Sequence, residues 1–209
     1  PHTVCPMDTG TEHWNAAYAG GDDRVSWFQT EAQTSLGLIG SVADSRASVI
    51  DVGGGSSPLV DGLIDRSHTD LHVLDLADSG LEISRQRLGV NAADVEWIVA
   101  NLLEWESPRS YDVWHDRAVL HFLTDEDERQ AYLGAMRTAL KVGGHAVVGV
   151  FAEDGPEQCS GLKVRRYSPD DLRELLGADF EAVSSKRELH GTPGGNQQAF
   201  NWLVARRTK

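Results

Sequence analysis

The sequence predicts an α/β fold: a mainly parallel sheet with helices on both faces and an antiparallel hairpin at its end. Three observations carry this. From Val49 onward, short β-rich runs alternate with helical ones, the pattern of parallel strands joined by crossover helices. The first run, Val49 to Val52, breaks straight into Gly53-Gly54-Gly55-Ser56-Ser57, a turn next to a helix start. The last two runs are separated only by Gly191-Thr192-Pro193-Gly194-Gly195-Asn196, which leaves no room for a helix, so they pair as a hairpin.

Seven strands are expected, at Val49–Val52, Leu71–Leu76, Val95–Ala100, Tyr111–His115, His145–Phe151, Ala182–Leu189 and Phe200–Ala205. The helices expected between them are Leu59–Arg66, Gly80–Leu88, Asp125–Leu140 and Pro169–Leu175. In the third, Tyr132, Leu133, Met136 and Leu140 share a face, and Lys141-Val142-Gly143-Gly144 reads as its basic last turn and glycine stop. Ser168-Pro169-Asp170-Asp171 opens the fourth with a cap, a proline and early acids. Ahead of the sheet, helical segments Glu12–Tyr18 and Trp27–Val42 are split by Gly20-Gly21-Asp22-Asp23 and are expected to form a lid over the ligand end. The 209 residues suit one domain, with residues 1–45 as helical cap and 46–209 as α/β core.

Acidic residues outnumber basic ones 32 to 19, a formal charge of −13 that argues against a nucleic-acid partner. Lys163, Arg165 and Arg166 are the nearest approach to a basic strip; Arg165 and Arg166 either steer an anionic substrate or pair with surface acids. Cys5 and Cys159 make neither a disulfide framework nor a metal motif, and no His/carboxylate cluster has ligand spacing. No apolar run approaches the roughly 20 residues of a membrane span. Residues 1–20 lack a signal-peptide pattern. A cytoplasmic protein, monomeric or weakly homodimeric, is expected; its opening proline suggests a processed or truncated start.

The glycine run, an acid after the second strand, and the closing hairpin together resemble the class I S-adenosylmethionine-dependent methyltransferases, over Val49 to Arg206. That fold is Rossmann-like, with seven strands. The family's acid-x-Gly-x-Gly-x-Gly pattern reads here Asp51-Val52-Gly53-Gly54-Gly55-Ser56-Ser57, with Ser57 in place of the last glycine. The resemblance implies S-adenosylmethionine as cofactor, seated by Asp51, Gly53, Gly54 and Gly55. Asp75, about 20 residues after the glycines, would accept from the ribose hydroxyls; the alternative is a helix cap. By the same resemblance Leu76 would touch the adenine, and Asn101 and Leu102 would hydrogen-bond it. Asp116, Arg117 and His121, after strand four, would stand nearest the chemistry, with Asp116 also touching the cofactor.

The stretch Glu12-His13-Trp14-Asn15-Ala16-Ala17-Tyr18, followed by Arg24-Val25-Ser26-Trp27-Phe28, looks like the lid of bacterial small-molecule enzymes in this class. Trp14 and Tyr18 either cover the sulfonium or anchor the segment; Trp27 is the better ligand candidate. The loop Phe151 to Leu162 is expected to wall the acceptor pocket, with Cys159 in it. The wider pattern resembles the thiol and thiopurine group. A base is needed only if the acceptor keeps its proton; His121 is the first candidate and His115 the second. The reading is methyl transfer to a small nucleophile, thiol-like compounds included. The alternatives are a protein-lysine methyltransferase of the same fold and, more remotely, an NAD-dependent oxidoreductase or a non-catalytic nucleotide-binding module.

Overall fold

The computed structural model describes residues 8–19, 21 and 25–209. Pro1, Cys5, Gly20, Asp22, Asp23 and Arg24 lie outside them. Two helices come first, α1 (Asp8–Tyr18) and α2 (Gln33–Gly40). The core then runs β1 (Val49–Val52), α3 (Leu59–Asp65), β2 (Leu71–Asp75), α4 (Asp78–Leu88), β3 (Val95–Val99), β4 (Tyr111–Arg117), α5 (Glu126–Ala139) and β5 (Leu140–Phe151). It continues through the short strands β6 (Gln158–Cys159) and β7 (Leu162–Lys163), then α6 (Pro169–Leu176), β8 (Phe180–Gly191) and β9 (Gln197–Arg207).

The main sheet has seven strands in the order β3-β2-β1-β4-β5-β9-β8. β1 to β5 pair parallel, and β9 runs antiparallel to both β5 and β8. The chain reverses direction across the sheet between β1 and β4, so loops after β1 and β4 diverge and leave a crevice at the carboxyl end. β1 is buried along its whole length, as a central parallel strand must be. One face of the sheet packs Trp114, Tyr132, Leu133, Met136 and Tyr167 against α5 and α6. The other packs Leu36, Ile39, Leu59, Leu63, Leu81 and Trp202 under α2, α3 and α4.

The seven expected strands and the hairpin are present, most of them longer than expected. The end of α5 differs: the helix stops at Ala139, and Leu140 is already extended at φ −91°, ψ 132°. Lys141 to Gly144 form an irregular opening of β5, where pairing with β4 skips from Tyr111↔Leu140 to Val113↔His145. The expected helix Trp27–Val42 is confined to Gln33–Gly40, because Trp27 and Phe28 turn towards the crevice and line cavities there. The ribbon of β6 and β7 is new, folded from the end of the Phe151–Leu162 loop and Lys163. Ser168 caps α6 as anticipated, in a reciprocal arrangement with Asp171 behind Pro169.

Candidate active site

The glycine loop is fastened from several sides. The amides of Gly53 and Gly54 both donate to Leu74 O, at 2.7 and 3.2 Å. From α4, Ser84 Oγ donates to Gly55 O at 2.8 Å, and Arg87 donates to the carbonyls of Ser56 and Ser57. Ser57, the departure from the glycine pattern, accepts from Leu59 N at 3.2 Å and so serves the head of α3. The bare faces of the glycines are met by the protein itself. A Cβ on Gly53 (φ +65°) would stand 2.0 Å from Val119 Cγ2, and one on Gly55 (φ +43°) 2.3 Å from the Tyr18 hydroxyl.

The carboxyl ends of β1, β2, β3 and β4 border the principal cavity, about 890 Å³ including its open mouth. One side carries Leu74, Asp75, Leu76, Ala100, Asn101, Leu102 and Leu103; beyond Gly53, the other carries Arg117, Ala118, Val119, Phe122, Leu123 and Cys159. Trp14, Tyr18 and Trp27 close over it from the N-terminal segment. The Trp14 ring stacks edge-on against Trp27 at 5.8 Å and Phe122 at 4.9 Å, between centroids. Asn15 Oδ1 accepts from Ser79 N and Ser79 Oγ, which ties α1 to the head of α4. Ala118 holds a positive φ of 73° on the cavity wall, a strained conformation for a residue with a Cβ. A smaller cavity of about 430 Å³ shares Trp27, Gly53 and Arg117 with the first and adds Gln29, Asp51, Gly54, Ser56, Ser57 and His115.

Asp75 accepts from Ala77 N at 2.8 Å and turns its carboxyl to the cavity. Burial pushes this carboxyl up to about 6, and the charge of Asp51 adds to the rise, while the Ala77, Gly55 and Leu76 amides hold it back. A desolvated carboxylate on a ligand-sized crevice wants hydroxyl donors, and the ribose of S-adenosylmethionine offers two; the residue set fits that cofactor. Asn101 Oδ1 is engaged by Leu103 N at 3.1 Å and keeps a second lone pair.

Other expected site residues stand elsewhere. Asp116 is fully buried, does not line the cavity, and accepts from Val119 N, Leu120 N and Tyr132 Oη. These bonds shape the turn after β4. His121 is fully buried between Phe122 and Phe151, with ring centroids 4.5 and 4.4 Å away. Burial and the charge of Arg117 push its imidazole down to about 3, so it is neutral, and it does not reach the cavity as a base. His115 is held between Asp51 Oδ1 (2.7 Å) and Ser35 Oγ (2.9 Å). Asp51 and Gly54 line only the smaller cavity, and Gly55 lies under Tyr18. Arg165 packs over the Tyr167 ring and Arg166 pairs with Glu157; neither lines the cavity. Val119, Leu103 and Asn15 escaped sequence reasoning because nothing in an apolar or amide residue marks a wall or a strap.

Residues 49–144 match a family model described as a methyltransferase domain. No curated protein matches the chain. Among solved structures, 1,6-didemethyltoxoflavin-N1-methyltransferase from Burkholderia thailandensis is 22% identical over 100% of this chain and 93% of its own, with a TM-score of 0.75. The N-methyltransferase NodS from Bradyrhizobium japonicum WM9 is 15% identical over 95% and 98%, with a TM-score of 0.73. A SAM-dependent methyltransferase from Anabaena variabilis is 17% identical over 98% and 96%, with a TM-score of 0.76. Such likeness defines the fold, that of the class I methyltransferases. The domain match and the fold together make the chain similar to S-adenosylmethionine-dependent methyltransferases.

Proposed function

We propose that the protein methylates a small-molecule acceptor held against the β4 side of the principal cavity. The supporting observation is the closure of that cavity by the rings of Trp14, Trp27 and Phe122. A chamber roofed by aromatic rings suits a compact acceptor, whereas a protein lysine would favour a shallow, acidic cleft; Asp75 is the sole acidic lining residue described. The Burkholderia neighbour was solved with 1,6-didemethyltoxoflavin and S-adenosylhomocysteine, a small-molecule precedent on the same fold. S-adenosylmethionine supplies an electrophilic methyl on a sulfonium. Asp75 accepts from its ribose, Leu76 and Leu102 flank its adenine, and Asn101 accepts from the adenine amine. Gly53 and Trp27 border its methionine part, with Asp51 and Gly54 behind them.

Among the described residues no free base faces the acceptor: His121 is enclosed, and His115 and Asp116 are fully engaged. The chain's contribution is therefore alignment and exclusion of water. The acceptor must bring its own lone pair, as a thiolate or an unprotonated nitrogen does. Incubation with methyl-labelled cofactor and separated metabolite and protein fractions of a bacterial extract tests this. Label in the metabolite fraction is expected; label confined to protein overturns the reading.

A further inference from the structure

The last residue of β4 is a cation whose hydrogen bonding is incomplete. Arg117 Nη1 donates to Trp27 O at 3.1 Å, and the guanidinium carbon lies 4.7 Å from the Phe200 ring centroid. Nε and Nη2 are shut off from solvent and have no hydrogen-bond partner. These two nitrogens share one edge of the planar group, and their parallel N–H bonds form the fork that matches both oxygens of a carboxylate.

No described residue answers that fork. The acids that act on Arg117 at longer range are Glu188 and Asp51. Glu188 accepts from the Trp202 indole at 2.7 Å, and Asp51 holds His115. Burial pushes the Cys159 thiol up, so it stays neutral, and His121 is neutral for the reasons given. Burial draws Arg117 itself down only to about 10, so it remains a cation at neutral pH. Desolvated donors of this kind are kept where something completes them.

Position indicates what does. Arg117 ends β4, while Asp75 ends β2 and Asn101 follows β3, on the opposite side of β1. In the principal cavity Arg117 stands with Ala118, Phe122 and Cys159, the walls of the acceptor side, and it shares Trp27 with the smaller cavity on the methionine side. We propose that the Nε–Nη2 edge of Arg117 seats an oxyanion of the methyl acceptor, so the acceptor is a small carboxylate or a molecule with an equivalent planar oxyanion. This rests on the small-molecule reading above and narrows it to a charge class. An anion here is also drawn towards a sulfonium, which brings its nucleophilic atom to the methyl group.

The test uses the full chain saturated with S-adenosylhomocysteine, titrated with acetate, benzoate and indole-3-acetate, each against its primary amide. At least one acid should bind about tenfold tighter than its amide. Arg117→Met should erase that preference and Arg117→Lys should keep part of it, with S-adenosylhomocysteine affinity held within about threefold in both. The proposal is overturned if no acid outbinds its amide in the wild type. It is equally overturned if Arg117→Met weakens S-adenosylhomocysteine about tenfold while sparing 5′-methylthioadenosine, which would assign the fork to the cofactor's own carboxylate. Should the methionine variant not fold, the lysine variant and the wild-type comparison decide. Label found only in protein would refute the small-molecule reading separately, whatever these titrations give.

Discussion

Replacing Asp75 with asparagine should strengthen the free protein while weakening its hold on cofactor. The carboxyl ionises near 6 rather than at 3.8, so the native state binds a proton that the unfolded chain has released. That difference of about two units corresponds to at most about 3 kcal/mol, and water in the open cavity reduces it to about 1–2 kcal/mol. The cost is absent below pH 3.8, grows as pH rises towards 6, and is complete above that. Asparagine keeps an oxygen for Ala77 N and removes the charge. Asp75→Asn should therefore be about 1–2 kcal/mol more stable than wild type at pH 7.5, and equal to it near pH 4. Asp116 is also raised to about 6, but it is present in both proteins and cancels. Exchanging two charge-assisted hydrogen bonds for neutral ones should cost about 2 kcal/mol of binding, about 30-fold in affinity. Wild-type affinity should fall below pH 6 as the carboxylate protonates, and the variant's should stay flat. Urea unfolding without ligand at both pH values, with calorimetry of S-adenosylhomocysteine, measures these quantities. A variant less stable at pH 7.5 that binds as well as wild type would refute the reasoning.

Gly53→Ala should cost about 2–5 kcal/mol, from a left-handed φ and the clash with Val119, read as a lowered urea midpoint at unchanged slope. His121→Asn should leave kcat within about threefold, with an unaltered pH profile between 6 and 8, because the imidazole is neutral and walled off; a loss of about 100-fold would restore it as a base. Asn15→Ala should release α1 from Ser79 and raise amide exchange in residues 8–18, with global stability lowered by about 1 kcal/mol. Ser168→Ala should cost about 1 kcal/mol through loss of the α6 cap, seen in thermal unfolding.

The sheet was legible because short β-rich runs alternate with helical ones, with β1 buried along its whole length, and because six turn-forming residues leave room only for a hairpin. Asp75 and Asn101 line the crevice because each falls where a strand ends at it. Asp116 and His121 stand off the cavity for a shared reason: position in the chain indicates a loop near the site but not which way a side chain turns from a tight bend. Asp116 folds back onto Val119 and Leu120, and His121 slots among Phe122, Phe151 and Phe200. The chain Ser35–His115–Asp51 depends on α2 lying across β1 and β4, a tertiary fact with no local signature. Trp27 and Phe28 look like the start of a helix in any hydrophobicity pattern, yet they belong to the cavity walls.

The ring of Tyr18 sits between two glycines, Gly55 in the loop and Gly80 in the first turn of α4; a Cβ on either would strike it. That wedge is also the roof over Asp75, and it is borne by an α1 strapped to α4 through Asn15. Any group that comes to lie over Gly55 must displace that ring, and with it the end of α1, so the loop's bare face is exposed only at the cost of a packed aromatic contact.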